Sequence, residues 1–188
     1  MHMTGITHKF GGIIVSSALL IPFDVAPGVK FMSLTLGILG ATLPDIDRTN
    51  TTISNKIPIL ALFIWVLQRF VWLITIPLPT KKKKQIRGIC GHRGLTHSIA
   101  AAFLAGIATL AIASFFHSAN YILYGASITI GSLSHLFLDL LSGKVPILLP
   151  FTLKRYQLGN IKTGGFTERL LQIALLPFVI LSICKIFL

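Results

Sequence analysis

Long apolar stretches dominate this chain and constrain it to helices that lie in a membrane. Six of them can be marked, over Phe10–Phe23, Phe31–Leu43, Ile57–Leu78, Leu95–Phe116, Tyr121–Leu141 and Leu170–Leu188. The alternation typical of a half-buried strand is missing from them, and Ala, Leu and Gly dominate several. Hydrophobic residues make up 53% of the chain, which is typical of membrane proteins. We therefore predict one all-α domain over residues 1–188, a polytopic helical membrane bundle of about five to six apolar helices.

Basic residues punctuate these stretches and give the chain a formal charge of +12. Such a charge can indicate nucleic acid. Here the cations flank apolar segments, so membrane lipids with anionic headgroups are the expected partners, and nucleic acid is not. If the N-terminus is cytoplasmic and Ile57–Leu78 does not cross, 15 of the 17 Lys and Arg residues lie on the cytoplasmic side. This positive-inside bias predicts a protein integral to the cytoplasmic membrane, with Ile57–Leu78 re-entrant or interfacial.

Carboxylates are scarce and are placed beside histidines. The chain has five acidic residues, and three of them, Asp45, Asp47 and Asp139, lie in otherwise apolar segments. An unpaired carboxylate at membrane depth is costly, so we expect these three to be paired or to bind something. His135 and Asp139 share one face of a helix and can bind one ion or two neighbouring ions, although an intrahelical hydrogen bond is an alternative. For the two aspartates after Pro44, capping of a turn is the alternative.

A third cluster reads Gly91-His92-Arg93-Gly94-Leu95-Thr96-His97. Gly94 lets the backbone turn so that His92 and His97 can face one centre. Thr96 is placed to cap a helix that starts at His97. The cluster is therefore predicted to supply imidazole ligands where a helix enters the membrane.

The predicted topology brings the candidate metal ligands to one membrane depth, near the cytoplasmic face. These ligands are His8, Asp45, Asp47, His92, His97, His135 and Asp139. Nitrogen and oxygen ligands without sulfur suit zinc, with manganese as a competitor. Seven candidates exceed the needs of one tetrahedral zinc, so two or more ions are expected. Neighbouring metals can clamp a phosphoryl oxygen and generate hydroxide, which predicts phosphoester hydrolysis through metal-activated water.

Two further residues are predicted to be catalytic. Arg93 would hold a phosphate with two hydrogen bonds and stabilise developing negative charge, or else anchor a lipid headgroup. Glu168 opens the last helix and could be a ligand or general base, with a helix-dipole partner as the alternative. We interpret Lys81 to Lys84 as a solvated basic run that attracts headgroups. Lys154 and Arg155 could steer an anionic substrate towards the site.

Three motifs carry a family resemblance: Leu43-Pro44-Asp45-Ile46-Asp47, Gly91-His92-Arg93-Gly94-Leu95-Thr96-His97-Ser98 and Ser134-His135-Leu136-Phe137-Leu138-Asp139. Together with His8 and the segment at 145–150, they resemble the YdjM-like family of membrane-bound metal-dependent hydrolases. That family is itself distantly similar to zinc-dependent phospholipase C and single-strand nucleases, which are all-helical. The resemblance implies a phospholipase C/zinc nuclease-like core, in which His135 and Asp139 match a His-x-x-x-Asp pair of zinc ligands. The long apolar Ile57–Leu78 insertion departs from the family pattern.

Two functions from different classes are compatible with these residues. The first is a membrane-embedded hydrolase acting on a phospholipid or a lipid-linked phosphate. The second is a non-catalytic membrane protein with a structural or transport-related metal site. A closed coordination shell would favour the second function, and an open position facing a lipid-accessible groove would favour the first.

Overall fold

A computed structural model describes residues 4–47, 58–91 and 93–188. The helices are α1 (Gly5–Leu20), α2 (Pro27–Gly40), α3 (Pro58–Ile74), α4 (Thr80–Cys90), α5 (Ile99–Phe115), α6 (Tyr121–Ser142) and α7 (Phe166–Phe187). Two short 3-10 turns, Leu43–Asp47 and Leu95–His97, precede α3 and α5. Across these ranges the only β-type pairing is an isolated bridge between Val145 and Tyr156. The prediction of an all-α fold is confirmed.

Helix α6 is the centre of the bundle and packs against α1, α2 and α5. Small residues allow these helices to approach one another closely. A Cβ at Gly131 of α6 would collide with the carbonyl oxygen of Gly37 in α2, and a Cβ at Gly37 would collide with Ser16 of α1. Packing through small residues is how helices associate in lipid, where the hydrophobic effect does not drive them together.

The bundle has two distinct ends. Short connections reverse the chain between α1 and α2 and between α5 and α6. At one end, Lys30 donates to the carbonyl oxygen of Ile186 over 3.0 Å, so the start of α2 meets the end of α7. At the other end, the backbone N–H of Thr4 donates to Glu168 over 2.5 Å, so the starts of α1 and α7 meet. We call this second end the site end, because the candidate ligands lie there.

Two helices, α6 and α7, are long and apolar enough to cross a membrane. Three other apolar helical segments in the described ranges are shorter, Gly5–Leu20, Leu62–Ile74 and Ile99–Phe115. Only 11% of the apolar 18-residue stretch of α7 is buried inside the bundle, against 56% of the corresponding stretch of α6. Helix α7 thus directs its apolar surface outward, as contact with lipid requires. The expected number of five to six crossing helices stays a prediction.

The basic run after the third apolar stretch forms a helix that the sequence analysis did not predict. The apolar stretch itself gives α3, and Lys81 to Lys84 open α4. Arg87 joins the two helices, since its Nε donates to Thr75 Oγ1 and its Nη2 to the Trp72 carbonyl, each over 2.9 Å. Helix α3 also contacts the turn at Leu43–Asp47, which places it beside the site end.

Helix α5 begins two residues later than predicted. Ser98 is the cap, because its hydroxyl accepts a hydrogen bond from the Ala101 backbone N–H over 3.1 Å. Thr96 donates its hydroxyl to Asp47 instead. His97 therefore lies in a turn ahead of the helix, where the backbone of the turn sets the position of its ring.

Candidate metal centre

His135 lies in α6 and is completely buried. Its Nδ1 is 2.8 Å from the carbonyl oxygen of Ala41, the residue that follows α2. A carbonyl oxygen can only accept, so Nδ1 carries the proton, and Nε2 of the neutral ring presents its lone pair. Metal-binding histidines commonly donate their second N–H to such a carbonyl. The ring is therefore set up to use Nε2 as a ligand.

Thr96 and Asp47 orient the imidazole ring of His97 and fix its tautomer in a similar way. The Thr96 hydroxyl donates to Asp47 Oδ2 over 2.5 Å, so its oxygen accepts from His97 Nδ1 at 3.1 Å. Nε2 of His97 is then the nitrogen with the lone pair. Asp47 Oδ2 lies 3.7 Å from Nδ1, whereas Asp45 and Asp139 face Nε2. Asp47 thus orients the imidazole, and a direct ligand role for it stays a prediction.

Two carboxylates face these imidazole nitrogens. Asp139 Oδ2 lies 3.5 Å from His97 Nε2 and 3.7 Å from His135 Nε2. Asp45 Oδ1 lies 3.7 Å from His97 Nε2 and 3.9 Å from His135 Nε2. These distances exceed a hydrogen bond. They approach the separation of about 3.3 Å between ligand atoms that follows from tetrahedral zinc with bonds of about 2.0 Å.

We call Asp45, His97, His135 and Asp139 the quartet. Two of its four members are carboxylates, and one of these, Asp139, forms an ion pair with Arg93. Asp139 is 1% exposed, and its Oδ2 has no hydrogen-bond partner among the described residues. A buried anion requires compensation. A divalent cation fits the quartet in both charge and ligand chemistry.

The carboxyl group of Asp45 is held in its ionised form. Burial by itself raises the pKa of this carboxyl, but the hydrogen-bonding contact with His97 and the positive charge that the neighbouring imidazoles carry when protonated outweigh burial and lower the pKa below its ordinary value. Asp45 lies in the 3-10 turn rather than in a helix. Its side chain is 21% exposed, whereas those of His97 and His135 are fully buried. Asp45 therefore lies at the mouth of the candidate centre.

His8 stacks on His135, with ring centroids 3.8 Å apart, and its Nε2 lies 3.7 Å from Asp139 Oδ1. Neither ring nitrogen of His8 has a hydrogen-bond partner in the described part of the chain. His8, Asp45 and His135 form one group of possible ligands, and His97, His135 and Asp139 form another. Both groups contain His135, whose Nε2 offers one lone pair and so binds one cation. The described residues therefore outline one centre with His8 beside it.

The prediction of two or more ions is not tested by these residues. His92, which was predicted as a ligand, lies outside the described residues. A second ion would need ligands beyond the quartet, and among the described candidates only His8 and Asp47 remain for it.

Arg93 reaches the centre through its ion pair with Asp139. Its Nη2 donates to Asp139 Oδ1 over 2.8 Å and to Ser142 Oγ over 3.3 Å. Arg93 itself adopts the left-handed conformation, with φ of 54°. Gly94 is required for a different reason, because a Cβ there would collide with the carbonyl oxygen of Ile89. By occupying Oδ1, Arg93 leaves Oδ2 of Asp139 for the quartet, and its contact with a phosphate stays a prediction.

Glu168 is completely buried and accepts four hydrogen bonds. The donors are the backbone N–H and the hydroxyl of Thr4, the hydroxyl of Thr7 and the backbone N–H of Gly164, at 2.5, 3.0, 2.7 and 2.6 Å. The carboxylate thereby ties the start of α7 to the start of α1, the helix that carries His8. The contacts give Glu168 an anchoring role, and its predicted part in catalysis stays a prediction.

Several residues that build this site were not predicted to take part. Ala41, Ser142, Thr4 and Thr7 contribute hydrogen bonds that the sequence does not mark. Thr96 could have been found, since it adjoins His97 and carries a hydroxyl. His117 is exposed after α5, at the opposite end of the bundle from the candidate ligands.

Comparison with known proteins identifies the family. The family model described as YdjM inner membrane protein matches residues 3–187. The chain belongs to the YdjM inner membrane protein family. The resemblance seen in the three motifs is thus confirmed at the level of the family, and so is association with a membrane.

A relative of this YdjM family member is known from Bacillus subtilis (strain 168). The two chains are 30% identical over 172 residues, which cover 89% of this chain and 86% of the relative. The relative carries the name "Uncharacterized protein YvsG". No solved structure matches the chain. The similarity to phospholipase C and the nucleases therefore stays a prediction.

Proposed function

We propose that this YdjM family member is a membrane-embedded zinc-dependent hydrolase that cleaves a phosphoester bond in a phospholipid or a lipid-linked phosphate. The observation that carries the proposal is the quartet, in which two oriented imidazoles and two carboxylates converge at 3.5 to 3.9 Å inside a membrane protein. Zinc suits this nitrogen and oxygen set, and manganese is its competitor.

Asp45, His97, His135 and Asp139 would hold the ion. A bound zinc ion supplies a water of lowered pKa and polarises a phosphoryl oxygen. The chain's own residues position these reactants. Arg93 and Ser142 fix Asp139, and the exposed edge of Asp45 gives a substrate its approach. Arg93 also brings a positive charge to the side of the centre where an anionic phosphate would lie.

A lipid substrate is supported by a small apolar crevice beside the centre. The crevice has a volume of about 100 Å³ and borders the turn that carries Asp45. Its walls come from that turn, from the start of α5 and from α6, through Leu43, Pro44, Ile46, Thr96, Ala101, Ala102 and Ser132. The crevice would accept apolar atoms next to the bond that is cleaved.

The basic residues of the site end support its placement at the cytoplasmic face. Lys30 and Lys185 belong to the opposite end, where Lys30 contacts Ile186. Helix α4, with its lysine run, and Arg93 belong to the site end. A basic end of this kind faces the cytoplasm under the positive-inside rule.

One observation favours a second function. The quartet supplies four protein ligands, which is the full shell of a structural zinc site. A non-catalytic membrane protein whose metal stabilises the fold would show the same arrangement. The two functions differ in whether Asp45 yields its place to substrate or water.

The deciding experiment uses the full chain purified in detergent. Zinc content is measured by elemental analysis, and phosphate or phosphorylated headgroup release is measured over a panel of phospholipids. Asp45→Asn is compared with Asp24→Asn, which changes an exposed aspartate at the opposite end of the bundle. Loss of turnover by about 100-fold or more in Asp45→Asn alone supports the hydrolase. Bound zinc without turnover supports the second function, and a chain that binds no metal refutes both.

A further inference from the structure

A second cavity at the site end is separate from the metal centre and much larger. It has a volume of about 630 Å³ and lies between α4 and the loop that follows α6. Its basic wall consists of Lys81, Lys84 and Arg155, and its apolar wall of Pro146, Leu149 and Leu153. We call this cavity the basic groove. None of its lining residues belongs to the quartet.

The charges of the basic groove call for an anion. Three cationic side chains line it, and no carboxylate does so among the described residues. Lys81 lies in the first turn of α4 and Lys84 directly after that turn, near the end of the helix where the dipole is positive and basic residues are unfavourable. Their position therefore does not serve the stability of α4. Like charges held together beside a cavity are stabilised by an anionic occupant.

The shape of α4 keeps the groove open. Lys81, Lys84 and Gly88 recur at intervals of three and four residues, so they share one face of the helix. Gly88 adds no side chain, and nothing lies within 4 Å of the place where its Cβ would be. The basic side chains of α4 therefore border open space, and the apolar side chains of Leu149 and Leu153 line the same space.

We propose that the basic groove binds an anionic phospholipid, with the phosphate on Lys81, Lys84 and Arg155 and the first carbons of the acyl chains on Leu149 and Leu153. A soluble anion would use the basic wall alone, whereas a phospholipid uses both walls. The membrane in which this family resides supplies such lipids at the cytoplasmic surface. This binding does not depend on hydrolysis at the quartet.

The test measures binding of fluorescently labelled phosphatidylglycerol and phosphatidylcholine to the full chain in detergent. Phosphatidylglycerol should bind at least about tenfold more tightly. The double variant Lys81→Gln/Lys84→Gln should lose about tenfold or more in affinity for it. The matched variant Lys82→Gln/Lys83→Gln removes the same charge from the same helix without touching the groove, and should lose less than about twofold. Equal losses in the two variants, or equal binding of the two lipids, would overturn the proposal.

The apolar wall is tested with a second pair of variants. Leu153→Ser should weaken binding of phosphatidylglycerol, whereas Leu158→Ser, at an exposed leucine outside the groove, should not. Soluble glycerol phosphate should displace the labelled lipid only weakly, and displacement as strong as that by unlabelled phosphatidylglycerol would overturn the lipid assignment. Asp45→Asn should keep full lipid binding, so failure of the proposed hydrolysis and failure of this binding are seen separately.

Discussion

His135 donates its Nδ1–H to the carbonyl oxygen of Ala41 over 2.8 Å, and this contact links the central helix to the turn that carries Asp45. The bond does two things at once. It fixes the tautomer that leaves Nε2 free to bind a cation, and it holds the chain just before Leu43–Asp47 against α6. The nitrogen ligand and the carboxylate ligand are therefore positioned by the same interaction.

Replacement of His135 by alanine should remove most of the bound metal. The variant loses a ligand and also the contact with Ala41, so zinc content should fall below about a tenth of the wild-type value. Elemental analysis of the purified protein gives the measurement, with circular dichroism to show that the helices remain. His117→Ala, which changes a histidine at the opposite end, should keep the wild-type content. Equal metal in His135→Ala and wild type would contradict the quartet.

Thr96 should matter for metal affinity although it is not a ligand. Thr96→Val keeps the shape of the side chain but breaks the relay from His97 to Asp47, so zinc affinity should fall about 10- to 100-fold. Competition with a chromophoric chelator measures the affinity. Thr109→Val is the control, because the Thr109 hydroxyl bonds only to the Ala105 carbonyl of its own helix. A loss of similar size in both variants would show that Thr96 acts only through stability.

Glu168→Gln separates anchoring from catalysis. Glutamine keeps one acceptor oxygen for the donors of Thr4 and Thr7, but its amide nitrogen takes the place of the other oxygen and cannot accept the bond that the Gly164 N–H donates, so the free energy of unfolding should fall by about 2 kcal/mol. Thermal unfolding in detergent reports the change. Loss of phosphate release at an unchanged melting temperature would instead establish Glu168 as a catalytic group.

Much of the site could be predicted because its residue types are costly in a membrane. Aspartates next to histidines in apolar segments have few explanations, so Asp45, His97, His135 and Asp139 were identified before their distances were known. The spacing of His135 and Asp139 needed only the helical repeat. The all-α fold followed from apolar stretches without strand-like alternation.

The rest depended on tertiary contacts that leave no local pattern. Thr96 is a residue type that commonly caps helices, but its hydroxyl donates to the carboxylate of Asp47, and Ser98 caps α5 instead. Glu168 had the position of a dipole partner, yet three of its four donors belong to Thr4 and Thr7, at the start of the distant helix α1. The sequence also did not show that α4 forms a helix, since four lysines at a helix start oppose its dipole.

Metal removal should lower the stability of the whole bundle. Without a cation, Oδ2 of the buried Asp139 has no hydrogen-bond partner among the described residues, and a ligand present at about 1,000 times its dissociation constant contributes about 4 kcal/mol. Treatment with a chelator should therefore lower the melting temperature by about 10 °C, and added zinc should restore it. In His97→Ala the chelator should have little effect. If the chelator still lowered the melting temperature of that variant by about 10 °C, the stabilising metal would have to be bound elsewhere.

Gly131→Ala tests whether the metal centre depends on how closely α6 approaches α2. The added methyl group would meet the backbone carbonyl of Gly37, which cannot rotate away, so the helices must separate at a cost of about 1 to 3 kcal/mol. Because His135 lies one turn further along α6 and bonds to Ala41, this separation should also lower zinc affinity. Gly28→Ala is the matched control, since a Cβ there meets nothing within 4 Å. Melting temperature and chelator competition measured on both variants give the answer, and a stable Gly131→Ala protein with unchanged zinc affinity would show that the centre tolerates a wider spacing of the two helices.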